Sequence, residues 1–168
     1  MGTKTLMSVE EYLHTSFDGA DREYLDGEVV ERNMGNKSHG RLQLLIASLL
    51  QRLESSNGLY VVVEVRQQVT GTRYRIPDIA AFRGDPGDEV PSTPPLIAIE
   101  ILSPDDRVGY VLPKLEEYRQ WGVPHIWIAD PEDRKFFTYG DGGLREVAEL
   151  TLREYGITLT KEETFETA

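Results

Sequence analysis

Two carboxylates in this chain stand where their neighbours call for burial: Asp78, directly after Pro77 and before Ile79-Ala80-Ala81-Phe82, and Glu100, inside the apolar run Leu96 to Leu102. Strand alternation puts Leu96, Ala98, Glu100 and Leu102 on one face and Ile97, Ile99 and Ile101 on the other. Glu100 therefore shares an apolar face. An ionised carboxylate there loses several kcal/mol of solvation unless something replaces the water. A buried ion pair, a protonated and hydrogen-bonded acid, or a metal ion would each compensate it. Asp78 after a proline also suits a plain turn or cap. Taken together, two carboxylates on neighbouring strands offer the oxygen ligands that Mg²⁺ prefers, leaving positions for water and a substrate phosphate. That is the chemistry of phosphodiester cleavage: a bound water of lowered pKa, charge neutralised at the phosphate, and a nearby lysine to orient or deprotonate the nucleophile.

Composition narrows the alternatives. The chain has 168 residues with 39% hydrophobic content, the size of one domain with a real core. It has no cysteine, which removes disulfides, thiolate metal sites and a cysteine nucleophile, and His14, His39 and His125 form no local metal motif. A metal would be held mainly by oxygen. No apolar run approaches the roughly 20 residues of a membrane helix. Met1 to Met7 lacks the order of a signal peptide, so the expectation is a cytoplasmic protein with no membrane partner. The net charge of −11 argues against a protein that coats nucleic acid. Yet residues 32–83 carry eight bases (Arg32, Lys37, Arg41, Arg52, Arg66, Arg73, Arg75, Arg83) against Glu54, Glu64 and Asp78. A positive face on an acidic body and a set of solvated strand edges are both open readings.

The elements that must position these residues follow from periodicity. Ser8-Val9-Glu10-Glu11 has the spacing of a capping box and predicts a short helix to Thr15. Asp26-Gly27 between two β-rich tetrads predicts a hairpin. Leu42, Leu45, Ile46, Leu49, Leu50 and Leu53 predict a core-facing helix over 38–53, ended by Gly58. Tyr60 to Val69 reads as one strand turning at Thr70-Gly71-Thr72 into Arg73 to Ile76. A long polar loop from Arg83 to Pro95 precedes the central strand, and Val108, Val111, Leu112, Leu115 and Tyr118 predict a second helix to Gly122, with Pro113 kinking its first turn. A strand over 125–130 and a hairpin across Asp141-Gly142-Gly143 complete the core. The chain thus divides into a helix and hairpin (8–34), a core (37–150) and an acidic, weakly structured tail (151–168).

These residues also carry a likeness. Arg22-Glu23-Tyr24-Leu25-Asp26-Gly27-Glu28, His39, Pro77-Asp78, Pro95 to Pro104 around Glu100, then Lys114, Tyr118, Gly122-Val123 and Trp127 to Pro131 resemble, in order, the Uma-type restriction endonuclease family of the PD-(D/E)XK nuclease superfamily. The resemblance implies a mixed sheet flanked by helices (α/β) with a restriction-endonuclease-like core. It implies Asp78 and Glu100 as the metal-binding acids of a Mg²⁺-dependent nuclease, with Mn²⁺ as a substitute. The superfamily lysine would lie two residues after the Glu, where this chain has Leu102, so Lys114 on the following helix takes that role; an ordinary surface lysine is the plainer reading. Glu23 would be a third acid, as ligand or water-orienting group, or else a polar strand residue. His39 is auxiliary to the site or simply a cap. The family's acid four residues before the lysine is replaced here by Tyr110.

Arg66, Arg73 and Arg75, on the hairpin leading to Asp78, are the candidates for guiding a DNA backbone to the metal, or else solubilising residues. DNA is the implied substrate, and a homodimer is expected by analogy with enzymes that cut two strands. Two rival functions stay open: a non-catalytic interaction module whose acids pair with Lys114, and a metal-dependent hydrolase of a small phosphate substrate.

Overall fold

The computed structural model describes residues 6–33, 35–106 and 108–166. Ser8 caps helix α1 (Val9–His14), its hydroxyl accepting from the Glu11 N–H while the Glu11 carboxylate accepts from the Ser8 N–H. Strands β1 (Glu23–Leu25) and β2 (Glu28–Val30) pair across Asp26 and Gly27, both at positive φ, as a two-residue turn requires. Helix α2 (Lys37–Gln51) buries Leu42, Ile46 and Leu50, the stripe its sequence spacing predicts, and the short α3 (Glu54–Asn57) ends at a left-handed Gly58.

The run from Tyr60 to Val69 is not one strand. It divides into β3 (Leu59–Val63) and β4 (Gln67–Thr70), which lie in different sheets. The break falls at Glu64, with φ of 53°, a left-handed conformation uncommon for a residue other than glycine. After β5 (Arg73–Arg75) the chain enters β6 (Ile79–Arg83) and, beyond the polar loop, β7 (Ile97–Ile101), all of whose residues are buried. Helix α4 (Val108–Trp121) runs through Pro113 and stops at Gly122, whose φ is 102°. β8 (His125–Asp130), β9 (Lys135–Gly140) and β10 (Gly143–Val147) follow.

The larger sheet has the order β10-β9-β8-β7-β6-β3, antiparallel except between β7 and β8. That one parallel pair is joined by α4, the crossover a parallel connection needs. Ile97, Ile99 and Ile101 share a core with the α2 stripe, while Ala98 packs on the opposite side with Leu115 and Tyr118 of α4. The sheet is thus covered by a helix on each face. The smaller sheet, β2-β1-β5-β4, has its own aromatic core of Tyr12, Tyr24 and Tyr74, with the Tyr12 and Tyr24 rings stacked at 5.0 Å.

The C-terminal residues correct the expectation of a weakly structured tail. β11 (Leu150–Leu152) pairs with β12 (Ile157–Leu159) around a 3₁₀ turn, and helix α5 (Lys161–Phe165) places the Phe165 ring 4.8 Å from that of Phe136. Leu150, Leu152, Ile157, Leu159 and Phe165 all belong to the main core. Glu154, Glu162, Glu163 and Glu166 are among the exposed residues of this segment, which masks a short alternating pattern when the sequence is read by composition. No helix among the described residues is long and apolar enough to cross a membrane.

Candidate active site

The register of β6 against β7 explains why Asp78 and Glu100 meet. Ile79 pairs with Ile99 and Ala80 with Ala98, so the next step along the same register sets Asp78 beside Glu100 on the same face. The ladder ends there, because the Ile101 N–H bonds to Asp78 Oδ2 at 2.7 Å instead of to backbone.

Three elements then converge on the two carboxylates. From the link between β2 and α2, Arg32 Nη2 lies 3.0 Å from Asp78 Oδ1. At the first turn of α2, whose cap Asn36 accepts from the His39 N–H, His39 Nε2 is 3.4 Å from Asp78 Oδ2. Gly35 is needed beside that ring, since a Cβ there would sit 2.8 Å from His39 Nδ1. From α4, Lys114 Nζ is 2.9 Å from Glu100 Oε1, and the Tyr118 hydroxyl donates to the same oxygen at 2.7 Å. A small cavity of about 40 Å³ opens among Arg32, His39, Asp78, Glu100, Tyr110 and Lys114.

Lys114 is buried and is not a surface lysine. Besides Glu100, its ammonium reaches Glu23 Oε1 at 2.8 Å and donates to the Ile76 carbonyl at 3.2 Å. Glu23 is itself fully buried on β1 and saturated: it accepts from Lys114 and the Ile76 N–H on Oε1, and from Arg75 and the Tyr110 hydroxyl on Oε2. No set of three His, Asp or Glu side chains converges as metal ligands among the described residues. The expected three-acid cluster of Asp78, Glu100 and Glu23 is therefore not formed, and Glu23 lies behind Lys114.

Electrostatics separates the three acids. Burial pushes Glu100 up, the charges of Asp78 and Glu23 add to it, and against the pull of Lys114 the carboxyl ends at about 7. Burial acts the same way on Glu23, but the charges of Lys114 and Arg75 outweigh it and bring the group down to about 2. At Asp78 burial is overcome by the His39 hydrogen bond, the charges of Lys114 and His39, and the Ile101 N–H, so the group lies below the ordinary carboxylate range. Burial disfavours the Lys114 ammonium, yet the charges of Glu100, Glu23 and Asp78 prevail and hold it protonated well above the ordinary lysine range.

The arginines expected to guide DNA are already engaged. Arg66 grips Asp21 and the Tyr12 and Thr15 carbonyls and lies 4.3 Å over the Tyr12 ring. Arg73 pairs with Asp26 and Glu117, and buried Arg75 with Glu23 and Glu117. These three fasten the small sheet to α1 and α4. Sequence reasoning also missed Arg32, counted only as one of eight bases, and Tyr118 as a ligand of Glu100. The α4 spacing Tyr110, Lys114, Glu117, Tyr118 was the available pattern: at i, i+4, i+7 and i+8 these polar groups share one helix face.

A mixed sheet between helices, with two cross-strand acids and a buried lysine at one cavity, defines an α/β protein of the restriction-endonuclease-like class. The chain belongs to the family described as "Uma2: Putative restriction endonuclease", whose profile matches residues 9–168. It is similar in fold to a crystal structure described as a putative nuclease belonging to DUF820 from Anabaena variabilis. The TM-score is 0.83 at 19% identity, covering 95% of this chain and 98% of that one. No curated protein matches it.

Proposed function

We propose that this protein is a divalent-metal-dependent nuclease that hydrolyses DNA phosphodiester bonds, with Asp78 and Glu100 as the Mg²⁺ ligands and Mn²⁺ as a substitute. The observation that carries the reading is the pair of carboxylates from adjacent strands facing one cavity beside a buried ammonium. The donor set suits a hard cation: both groups are carboxylates, and among the described residues the hydrogen bonds to Glu100 end on Oε1, leaving Oε2 without one. Two protein ligands agree with a cation that keeps several waters. When bound, the cation supplies a water of lowered pKa and positive charge facing the scissile phosphate.

The chain's own groups do the rest. Lys114, held protonated, is a fixed positive charge that stabilises charge developing on the phosphate; it does not serve as a base. Glu23 and the Ile76 carbonyl hold the Lys114 ammonium in place, which makes Glu23 a positioning residue. His39 orients Asp78, and Tyr118 orients Glu100. The reading includes a cytoplasmic protein acting as a homodimer on two strands, to be checked by sedimentation.

Calorimetric titration of Mn²⁺ into the wild type and into Asp78→Ala and Glu100→Ala, followed by a plasmid-cleavage assay, tests it. Saturable binding lost in both variants, with Mn²⁺-dependent nicking by the wild type, is the expected result. Absence of Mn²⁺ binding would sink it.

One observation favours a second reading, a non-catalytic interaction module. Arg66, Arg73 and Arg75 are neutralised internally on a body of charge −11. That reading predicts neither Mn²⁺ binding nor DNA cleavage.

A further inference from the structure

Among the described residues, Arg32 stands at the cavity with one close partner. The link from β2 to α2 carries it over the two carboxylates, and its side chain is 10% exposed. Its guanidinium meets Asp78 Oδ1 at 3.0 Å and otherwise only approaches Glu64 Oε1, at 4.0 Å. Lys114, by contrast, has three acceptors at 2.8, 2.9 and 3.2 Å. Of the arginine and the lysine lining the cavity beside His39, Arg32 is the one whose displacement breaks least.

A cavity of about 40 Å³ has room for water or a bare ion. A phosphate brought to a cation at these carboxylates comes within reach of the guanidinium that lines the cavity with them.

Charge decides where that side chain goes. The guanidinium offsets Asp78, which also faces His39 at 3.4 Å and lies beside Glu100, while Glu64 stands 4.0 Å from the same guanidinium. A divalent cation on Asp78 and Glu100 makes the arginine's charge surplus at that spot. The anion that then enters is a phosphate, and a planar guanidinium fork binds phosphate by paired, charge-assisted hydrogen bonds. A compact ammonium such as Lys114, already tied by three acceptors, has no such freedom.

We propose that Arg32 exchanges partners: it is the internal counter-ion of Asp78 in the metal-free protein and becomes the phosphate-binding residue of the metal-loaded site. The inference rests on the metal-dependent reading above and adds a substrate-contacting residue to it. Its signature is a pair of effects of opposite sign. Removing the guanidinium removes a competitor for Asp78, so metal binds more tightly; it also removes a phosphate ligand, so phosphate binds more weakly.

The test is calorimetry on the full chain, with Mn²⁺ alone and then with thymidine 5′-monophosphate in saturating Mn²⁺, a monoester that a phosphodiesterase leaves intact. Arg32→Gln is expected to bind Mn²⁺ about tenfold more tightly and the nucleotide about tenfold more weakly than wild type, the scale of one partly buried charged contact in each direction. Arg32→Lys, which keeps the charge but not the fork, is expected to restore Mn²⁺ affinity toward wild type while leaving nucleotide binding weak.

Weakening of both ligands in Arg32→Gln marks a merely structural arginine and overturns the proposal, as does unchanged nucleotide affinity. If Arg32→Gln does not fold, the wild type still decides. The side-chain guanidinium resonance of Arg32, assigned from its loss in Arg32→Lys, is expected to shift on saturation with diamagnetic Mg²⁺, and its constancy would overturn the exchange. Failure of the wild type to bind Mn²⁺ removes the nuclease reading itself. Binding by the wild type without the opposite-sign pair removes only the role of Arg32.

Discussion

Lys114 and Glu23 lie 2.8 Å apart, both buried, one on the helix that follows the central strand and the other on the first strand of the small sheet. From this contact a chain of alternating charge runs outward through Arg75, Glu117 and Arg73 to Asp26 at the hairpin tip. The hairpin is thereby fastened to the candidate active site by ion pairs. Breaking a buried pair strands a charge, so the positions along this chain are sensitive ones.

Removing the ammonium leaves two buried carboxylates without their shared partner. Lys114→Met is expected to lose about 3–5 kcal/mol in urea unfolding at pH 8. The loss is expected to shrink as the pH falls toward 7, because Glu100, about 7 with Lys114 beside it, is higher still without that ammonium and takes up a proton that ends its repulsion of Glu23.

Glu23→Gln distinguishes a positioning residue from a metal ligand. Its Mn²⁺ affinity is expected to stay within about twofold of wild type, because every oxygen of Glu23 is already used by other donors. Cleavage activity and folding stability are both expected to fall, and a large loss of Mn²⁺ affinity would return Glu23 to the metal site.

Metal binding should depend on pH through Glu100. Below about 7 the cation has to displace a proton, so the affinity measured by calorimetry is expected to rise about tenfold per pH unit up to that point and then level off. Acid stability runs on other groups. Glu23, lowered to about 2, and Asp78, also lowered, contribute stability that is fully present above their unfolded values. That stability is lost as the pH falls from the ordinary carboxylate range through their folded values, which an acid titration followed by circular dichroism would record.

The three paired arginines are expected to matter for folding and not for DNA. Arg66→Ala is expected to speed amide exchange in α1, since the guanidinium ties the Tyr12 and Thr15 carbonyls to Asp21. Arg73→Gln is expected to leave affinity for a DNA duplex unchanged within about twofold, as a residue making no phosphate contact should. A marked loss of duplex binding in Arg73→Gln would restore that hairpin as a DNA-guiding surface.

Phe165→Ala tests the C-terminal correction. The ring packs on Phe136 inside the main core, so the variant is expected to lose about 3–5 kcal/mol, whereas a disordered tail would show no change in the same unfolding experiment.

The sequence alone determined the elements whose signals are local. The Ser8 to Glu11 cap, the Asp26-Gly27 turn, the apolar stripe of α2 and the continuous run of β7 each follow from steric and solvation preferences of adjacent residues. The same alternation marked Glu100 as an anomaly on an apolar face, and Pro77 marked Asp78, so the two acids were legible before any contact was known. Tertiary structure alone decided their partners. Whether an arginine faces water or a carboxylate depends on strands far apart in the chain, which is why Arg66, Arg73 and Arg75 read as a basic surface yet are spent in ion pairs, and why Arg32 went unnoticed. The split of β3 from β4 at Glu64 has no glycine or proline to announce it; it follows from the need to serve two sheets. Burial of Lys114 was likewise beyond periodicity, because an ammonium is stable there only once Glu23, Glu100 and the Ile76 carbonyl have been brought around it by the completed fold.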